Sequence, residues 1–407
     1  MRKKLLKLLP FPSGYEFAIT FTDDTDFSTR ENTEPVYNFL YKMKIKGTKT
    51  VWTTKQKRTS SFNKKNEKNV HANIKNGSTI QNQDYLDFIL SLKQRNFEIA
   101  LHNVAAGNSY RNEIIEGIER FKTTFGEYPK INIFHEKNME NLYAGYYKLN
   151  CLPFKVIEKV LHNSDYQGHI EGSPYFWGDI AMKNIKYMRI PFHTIKEINT
   201  LKINPTMPFY DPNRPYVNYW FSCSDGSCIH MFKKLLTKKN IDNLIRENGA
   251  CIIYTHFSKG FAERVNKRYV LNDGFVNIIK RISKYNNAWF PTVSEFLDRL
   301  LIIKKVSVIQ NKYDVRITNN NDFDVDSITL KVAPGFVLKD PKGKELKATK
   351  NGIIIIDNLK SNSTILFQSN EIGKYNKYLK NNFIPKSERA TLEFYNYYGL
   401  LKSSIKL

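Results

Sequence analysis

The stretch that most constrains this chain is Phe17-Ala-Ile-Thr-Phe-Thr-Asp-Asp-Thr-Asp26, where an apolar, β-favouring run ends in three carboxylates, Asp23, Asp24 and Asp26. A continuous apolar strand is one buried on both faces, as in a parallel sheet covered by helices. Its acidic end then falls at the carboxyl edge of the sheet, where α/β folds assemble their sites. Carboxylates this close repel one another unless a cation or a proton lies between them. A polar turn capped by Asp uses the same residues, so the rest of the chain has to decide.

Later stretches repeat the pattern. Residues 35–46 have apolar positions at helical spacing after Pro35 and stop at Gly47, and residues 48–53 read as a second strand. A helix over 84–94 leads to the strand Phe97-Glu-Ile-Ala-Leu101, which ends on His102. A helix over 112–125 leads to Ile131-Asn-Ile-Phe134, which ends on His135, and a helix over 237–247 leads to Cys251-Ile-Ile-Tyr-Thr255, which ends on His256. One histidine after a strand is an ordinary polar cap. An Asp and several His at successive strand ends form a nitrogen–oxygen set suited to zinc or a similar divalent ion.

With 407 residues the chain exceeds one ordinary core. Its texture changes near residue 303, from alternating helices and strands to short strands separated by Asn- and Gly-rich turns. The expectation is an α/β barrel over 1–302 and a small β-sandwich-like domain with a tail over 303–407. The segment 150–235 is irregular and aromatic. There Trp177, Asp179 and Trp220 fit a sugar-binding cleft, because rings stack on pyranose faces while polar groups meet hydroxyls, and an aromatic core accounts for them equally well. Cys223 and Cys228, with His230 beside them, lack a second ligand pair and read as a cysteine-bearing turn.

Net charge is +24, from 63 Lys and Arg against 39 Asp and Glu, which invites a polyanion. The densest basic stretch, Lys55 to Lys75, carries no nucleic-acid motif and reads as a solvated loop, so nucleic acid is not the expected partner. No apolar run reaches the eighteen residues of a membrane span, and the basic start lacks the features of a secretory signal. The expected compartment is the cytoplasm.

Taken together, these motifs resemble the polysaccharide deacetylases, the NodB-homology or carbohydrate esterase family four group. Thr20-Phe-Thr-Asp-Asp-Thr-Asp26 is similar to the family's Thr-Phe-Asp-Asp-Gly, with Thr22 inserted and Thr25 in place of glycine. Glu98-Ile-Ala-Leu-His102 resembles its histidine motif and Ile252-Ile-Tyr-Thr-His256 its last strand, while Arg189-Ile-Pro-Phe192 resembles an Arg-x-Pro motif. The family's second histidine, four residues after the first, is replaced here by Ala106, and His135 is the substitute the chain offers. The resemblance implies an irregular (β/α) barrel of the NodB-homology type. It implies Asp24, His102 and His135 as ligands of a divalent metal (Zn2+, with Co2+ or Ni2+ as options), Asp23 as general base and His256 as general acid. Asp26 rivals either aspartate, and Asn108 and Arg111 are placed to orient substrate. The implied reaction removes an N-acetyl or similar group from a sugar or glycan, including an anionic or lipid-linked precursor. An inactive glycan-binding protein on the same scaffold and a basic polyanion-binding protein are the alternatives.

Overall fold

The computed structural model describes residues 5–60, 77–150, 152–162, 165–190, 196–311 and 313–370. After a short strand β1 (Leu6–Leu9), the chain lays down β2 (Phe17–Asp23), helix α1 (Arg30–Lys42), β3 (Thr48–Val51), helix α2 (Gln83–Gln94) and β4 (Glu98–His102). Helix α3 (Arg111–Phe125), β5 (Ile131–Ile133), β6 (Tyr187–Arg189), β7 (Tyr219–Phe221), β8 (Ser224–Asp225) and β9 (Ala250–Thr255) follow, with further short helices between them.

In the main sheet the order is β7-β6-β5-β4-β3-β2-β9-β8, and these neighbours pair in parallel. β7 and β8 stand at opposite ends of that order, yet Phe221 and Ser224 are linked by only two residues. Three virtual bonds span about 11 Å at most, so the sheet is rolled into a barrel whose seam lies between β7 and β8. This is the irregular (β/α) barrel expected from the sequence.

Successive strand residues point to opposite faces, and the packing here obeys that rule closely. Ala18, Ala100, Ile131, Ile133, Tyr187, Phe221, Ala250 and Ile252 meet in the lumen, where Phe11 and helix Val293–Lys304 add to the same cluster. Ile19, Phe21, Ile99, Leu101, Met188, Trp220 and Ile253 point outward against Val36, Tyr37 and Leu40 of α1, Phe88 and Leu92 of α2, and Ile118 and Phe121 of α3. Two buried faces explain why β2 carries no alternation of apolar and polar residues.

Some boundaries differ from expectation. Helix α1 starts at Arg30, behind a capping box in which Thr29 and Asn32 satisfy each other's backbone N–H, and it carries Pro35 inside. It ends at Met43, so Gly47 is no helix stop. A Cβ on Gly47 would fall 2.1 Å from the Phe21 ring, and only glycine lets β3 approach β2 there.

After residue 304 the described chain is all β. Strands 306–310, 314–319, 364–369, 338–339 and 345–346 form one antiparallel sheet. Strands 325–332 and 353–359 form a second, to which β1 adds by pairing Leu6–Leu9 against Thr329–Val332. Both sheets share one core, in which Leu6 and Leu8 pack with Val308, Ile317, Leu330 and Leu338. The N-terminal strand therefore belongs to the sheet of the C-terminal region. Leu8 is 1% exposed, so Leu8→Ala is expected to cost about 2–5 kcal/mol. Denaturant unfolding should show that loss, with limited proteolysis placing it in residues 306–370; cleavage confined to the barrel would contradict the pairing.

Candidate metal centre

The alternation that builds the lumen also selects what stands at its carboxyl mouth. Counting in twos from the lumen residues gives Asp24 after β2, Trp52 after β3, His102 at the end of β4, His135 after β5, Arg189 at the end of β6 and His256 after β9. Asp26 lies two residues beyond Asp24.

Asp23 has the other parity and points out. Its carboxylate is fully buried, accepting from Lys49 Nζ at 2.8 Å, Tyr37 Oη at 3.0 Å and the Phe257 N–H at 2.7 Å. Lys49 Nζ also donates to Ser28 Oγ at 2.9 Å, so this pair anchors both ends of the acidic loop. Asp23 is thus a structural anion and not the free base expected beside the metal. Asp24, expected as a ligand, is gripped by Arg189 across the barrel, Nη1 to Oδ1 at 2.9 Å and Nη2 to Oδ2 at 2.6 Å. Arg189 also lies over the Tyr254 ring, 4.4 Å from its centroid. Burial works to raise Asp24, but the charge of Arg189 and of the nearby His102 and His256 outweighs it and holds the carboxyl below its ordinary value.

The carboxylate grouped with the histidines is that of Asp26. Asp26 Oδ1 is 3.4 Å from His102 Nε2 and 3.3 Å from His135 Nε2, and Oδ2 is 2.8 Å from His256 Nε2. The ligand atoms of Asp26, His102 and His135 all lie within 4.8 Å of one another. His102 Nδ1 faces the Ile133 carbonyl at 3.2 Å and His256 Nδ1 the Ser227 carbonyl at 2.8 Å. A carbonyl only accepts, so each Nδ1 carries a proton and each ring turns its Nε2 toward Asp26. Three imidazole nitrogens around one carboxylate call for positive charge, carried either by protons on the nitrogens or by a cation shared among them. Asp26 Oδ1 and His102 Nε2 are both buried and lack any hydrogen-bond partner.

A cation fits that vacancy of partners. Tetrahedral bonds of ~2.1 Å imply ligand-to-ligand edges of about 3.4 Å, close to the two Asp26–histidine distances above. His102 and His256 side chains are 2% exposed, whereas Asp26 and His135 are 18% and 17% exposed. Solvent therefore reaches the group from the side of Asp26 and His135.

Around it, Trp52 is buried with its ring stacked on His102 at 6.0 Å and edge-on to His135 at 5.6 Å. His135 Nδ1 meets Asn138 Oδ1 at 3.1 Å and Ser60 Oγ at 3.2 Å. Asn138 in turn donates to Glu140 Oε1 at 2.9 Å. Trp52, Asn138 and Glu140 were not among the residues expected from the sequence. The period-two count from β3 signals Trp52, while the other two come from a loop without periodicity.

The proposed sugar contacts fall elsewhere. Arg111 forms a paired salt bridge with Asp179, both bonds at 2.6 Å, and also donates to the Phe176 carbonyl. Asn108 Oδ1 accepts from the Met139 N–H at 3.0 Å. Trp177 and Trp220 are buried in the outer core, Trp177 donating to the Glu140 carbonyl at 2.6 Å. The structure brings none of these five into the Asp26 group. Among the described residues, Cys223, Cys228 and His230 form no metal-binding group. Most of the basic stretch 55–75 lies outside the described residues; within them Lys57 and Arg58 pair with Glu113.

No protein-family model matches the sequence, and no curated protein matches it. Solved structures do match. An allantoinase is 11% identical, covering 72% of this chain and 92% of its own, with a TM-score of 0.39. A chitin deacetylase from the fungal pathogen Colletotrichum lindemuthianum is 12% identical over 71% of this chain and 92% of its own, at 0.33. A family 4 acetyl xylan esterase from Clostridium thermocellum, solved with a cobalt ion, is 12% identical over 69% and 90%, at 0.32. The likeness is one of fold. Among the described residues no helix is long and apolar enough to cross a membrane.

Two predictions follow from the buried charges. Lys49→Met leaves Asp23 buried without its cation and is expected to cost about 3–5 kcal/mol, whereas Lys49→Met with Asp23→Leu recovers most of it; equilibrium unfolding measures both. The second concerns pH. Burial works to lower His135, but Asp26 outweighs it and raises the imidazole above its ordinary value. Burial works likewise to raise Asp26, and the imidazoles hold it well below. The His135 contribution to stability is complete below the unfolded imidazole value of about 6.5 and is lost as pH rises through the raised folded value. The Asp26 contribution persists above the carboxyl range and fails only in acid. Chelated protein is therefore expected to melt lower at pH 8 than at pH 6 through His135, with the difference shrinking in His135→Ala. Zinc reverses the order, since the ligands hold it deprotonated.

Proposed function

We propose that the chain is a metal-dependent hydrolase that removes an acetyl or similar acyl group from the nitrogen of a sugar or glycan precursor. The observation that carries this reading is the convergence of the ligand atoms of Asp26, His102 and His135 within 4.8 Å of one another at the barrel mouth, with His256 on the other Asp26 oxygen. A divalent cation held there, zinc by the chemistry of its donors, supplies Lewis acidity that makes water a nucleophile near neutral pH and polarises an acyl carbonyl.

The remaining steps belong to the chain's own residues. Asp24, kept ionised by Arg189, serves in this reading as the carboxylate that accepts a proton from the attacking water. His256, with its Nδ1 proton fixed on the Ser227 carbonyl, turns Nε2 to the mouth beside Asp26 and, as the imidazolium, gives the Nε2 proton to the departing amine. Arg189 holds Asp24 in place, and the Trp52 ring packs against both imidazole ligands, limiting their rotation and excluding water from behind them. Glycan substrates are supported by the sequence resemblance.

The test is acetate release from N-acetylglucosamine oligomers by protein stripped with chelator and reloaded with zinc, cobalt or nickel. Release is expected only in the loaded protein, with Asp26→Ala and His102→Ala reducing it at least about 100-fold and Asp24→Asn by a factor of about 10² to 10⁴, the range for a lost general base. Metal uptake without release from any acetylated sugar would overturn the reaction, and absence of uptake would leave a glycan-binding protein on this scaffold.

A further inference from the structure

Glu140 is a buried carboxylate for which the described residues supply no cation. It is 1% exposed and accepts from Asn138 Nδ2 at 2.9 Å, Asn103 Nδ2 at 3.1 Å and the Ser109 N–H at 3.2 Å, all of them neutral donors. The other carboxylates near the mouth contrast with it, since Asp23 has Lys49 and Asp24 has Arg189. A buried anion held only by neutral groups is costly unless a positive charge lies near.

The same residue sets the chemistry of His135 at one remove. Asn138 donates Nδ2 to three acceptors, Glu140 Oε1 and the carbonyls of Ala105 and Gly107, so its amide can face only one way. Its Oδ1 is thereby turned on His135 Nδ1. An amide oxygen only accepts, so Nδ1 holds a proton and Nε2, turned toward Asp26, is the nitrogen that a cation would take in place of a proton. A second arm ties the backbone, because Asn103 Nδ2 donates to both Glu140 Oε1 and Asn141 Oδ1, and Asn141 Nδ2 donates to the His135 carbonyl at 2.7 Å. Asn103, Asn138 and Asn141 are all buried, so the whole relay is shielded from water.

We propose that Glu140 is a positioning residue of the cation site, orienting His135 through Asn138 and supplying, with Asp26, the second negative charge that balances a dication. This rests on the assignment of Asp26, His102 and His135 as ligands. Asp26 and Glu140 are the two buried carboxylates joined to His135, directly or through Asn138, and neither has a Lys or Arg partner among the described residues. A dication at Asp26 leaves the group neutral. A monovalent ion leaves it one charge short.

Cobalt(II) affinity, by competition with a chromophoric chelator at pH 8, tests this in the full chain beside the thermal midpoint of each metal-free protein. Burial pushes the Glu140 carboxyl up to about 7, so it is ionised under those conditions. Glu140→Gln is expected to weaken cobalt binding about 10- to 100-fold, to alter the visible absorption of bound cobalt, and to lower the metal-free midpoint less than the metal-loaded one. Asn138→Ala, which keeps the charge and breaks the relay, is expected to lose at least about tenfold in affinity and decides the question if the first variant does not fold. Cobalt binding within about threefold of wild type in either folded variant, or equal losses in both midpoints with an unchanged spectrum, would overturn the role of Glu140. His102→Ala separates the two ideas: if it abolishes binding while Glu140→Gln does not, the ligand set stands and the positioning role falls, and if wild type binds no cobalt the ligand set falls first.

Discussion

Side chains of a strand leave alternately on its two faces, and that rule decides which carboxylate of this protein meets which partner. Asp23 and Asp24 are adjacent, so one points to the helices and the other to the lumen. The outward one is neutralised by Lys49 and the inward one by Arg189. Only after the strand has ended does the chain deliver Asp26 to the histidines. Asp23 and Asp24 are thus each answered by a neighbouring cation, and the barrel mouth retains Asp26, a carboxylate faced by three imidazoles.

The same alternation separates what was legible in the sequence from what was not. His102, His135 and His256 were legible because each terminates an apolar strand, and a ligand-type residue there sits at the carboxyl edge whatever the strand's partners. The division of labour among the aspartates was not legible in the same way, since a cluster of acids shows that charge must be managed without showing by what. Counting in twos from Phe21, an outward core residue, distinguishes Asp23 from Asp24. Trp177 and Trp220 misled for a related reason: an aromatic-rich segment with weak periodicity does not reveal which rings face a cleft, and both face the outer core. β1 escaped notice because its partner lies more than 300 residues away. Pairing of that kind leaves no local trace in a four-residue strand.

Neutral groups carry as much of the site as charged ones. Backbone carbonyls of Ile133 and Ser227 fix the protons of His102 and His256, and the side-chain amide of Asn138 does the same for His135. The loop that holds Asn138 also brings in Glu140, so the third histidine arrives with its own hydrogen-bonded support.

The measurement that bears most directly on this account is a crystal of the protein grown or soaked with zinc and measured across the zinc absorption edge. The account predicts one anomalous peak at the barrel mouth, about 2.0–2.2 Å from Asp26 Oδ1, His102 Nε2 and His135 Nε2, with Asp24 still paired to Arg189. A peak bound by Asp24 with Arg189 displaced, or no peak at the mouth in zinc-saturated crystals, would contradict it.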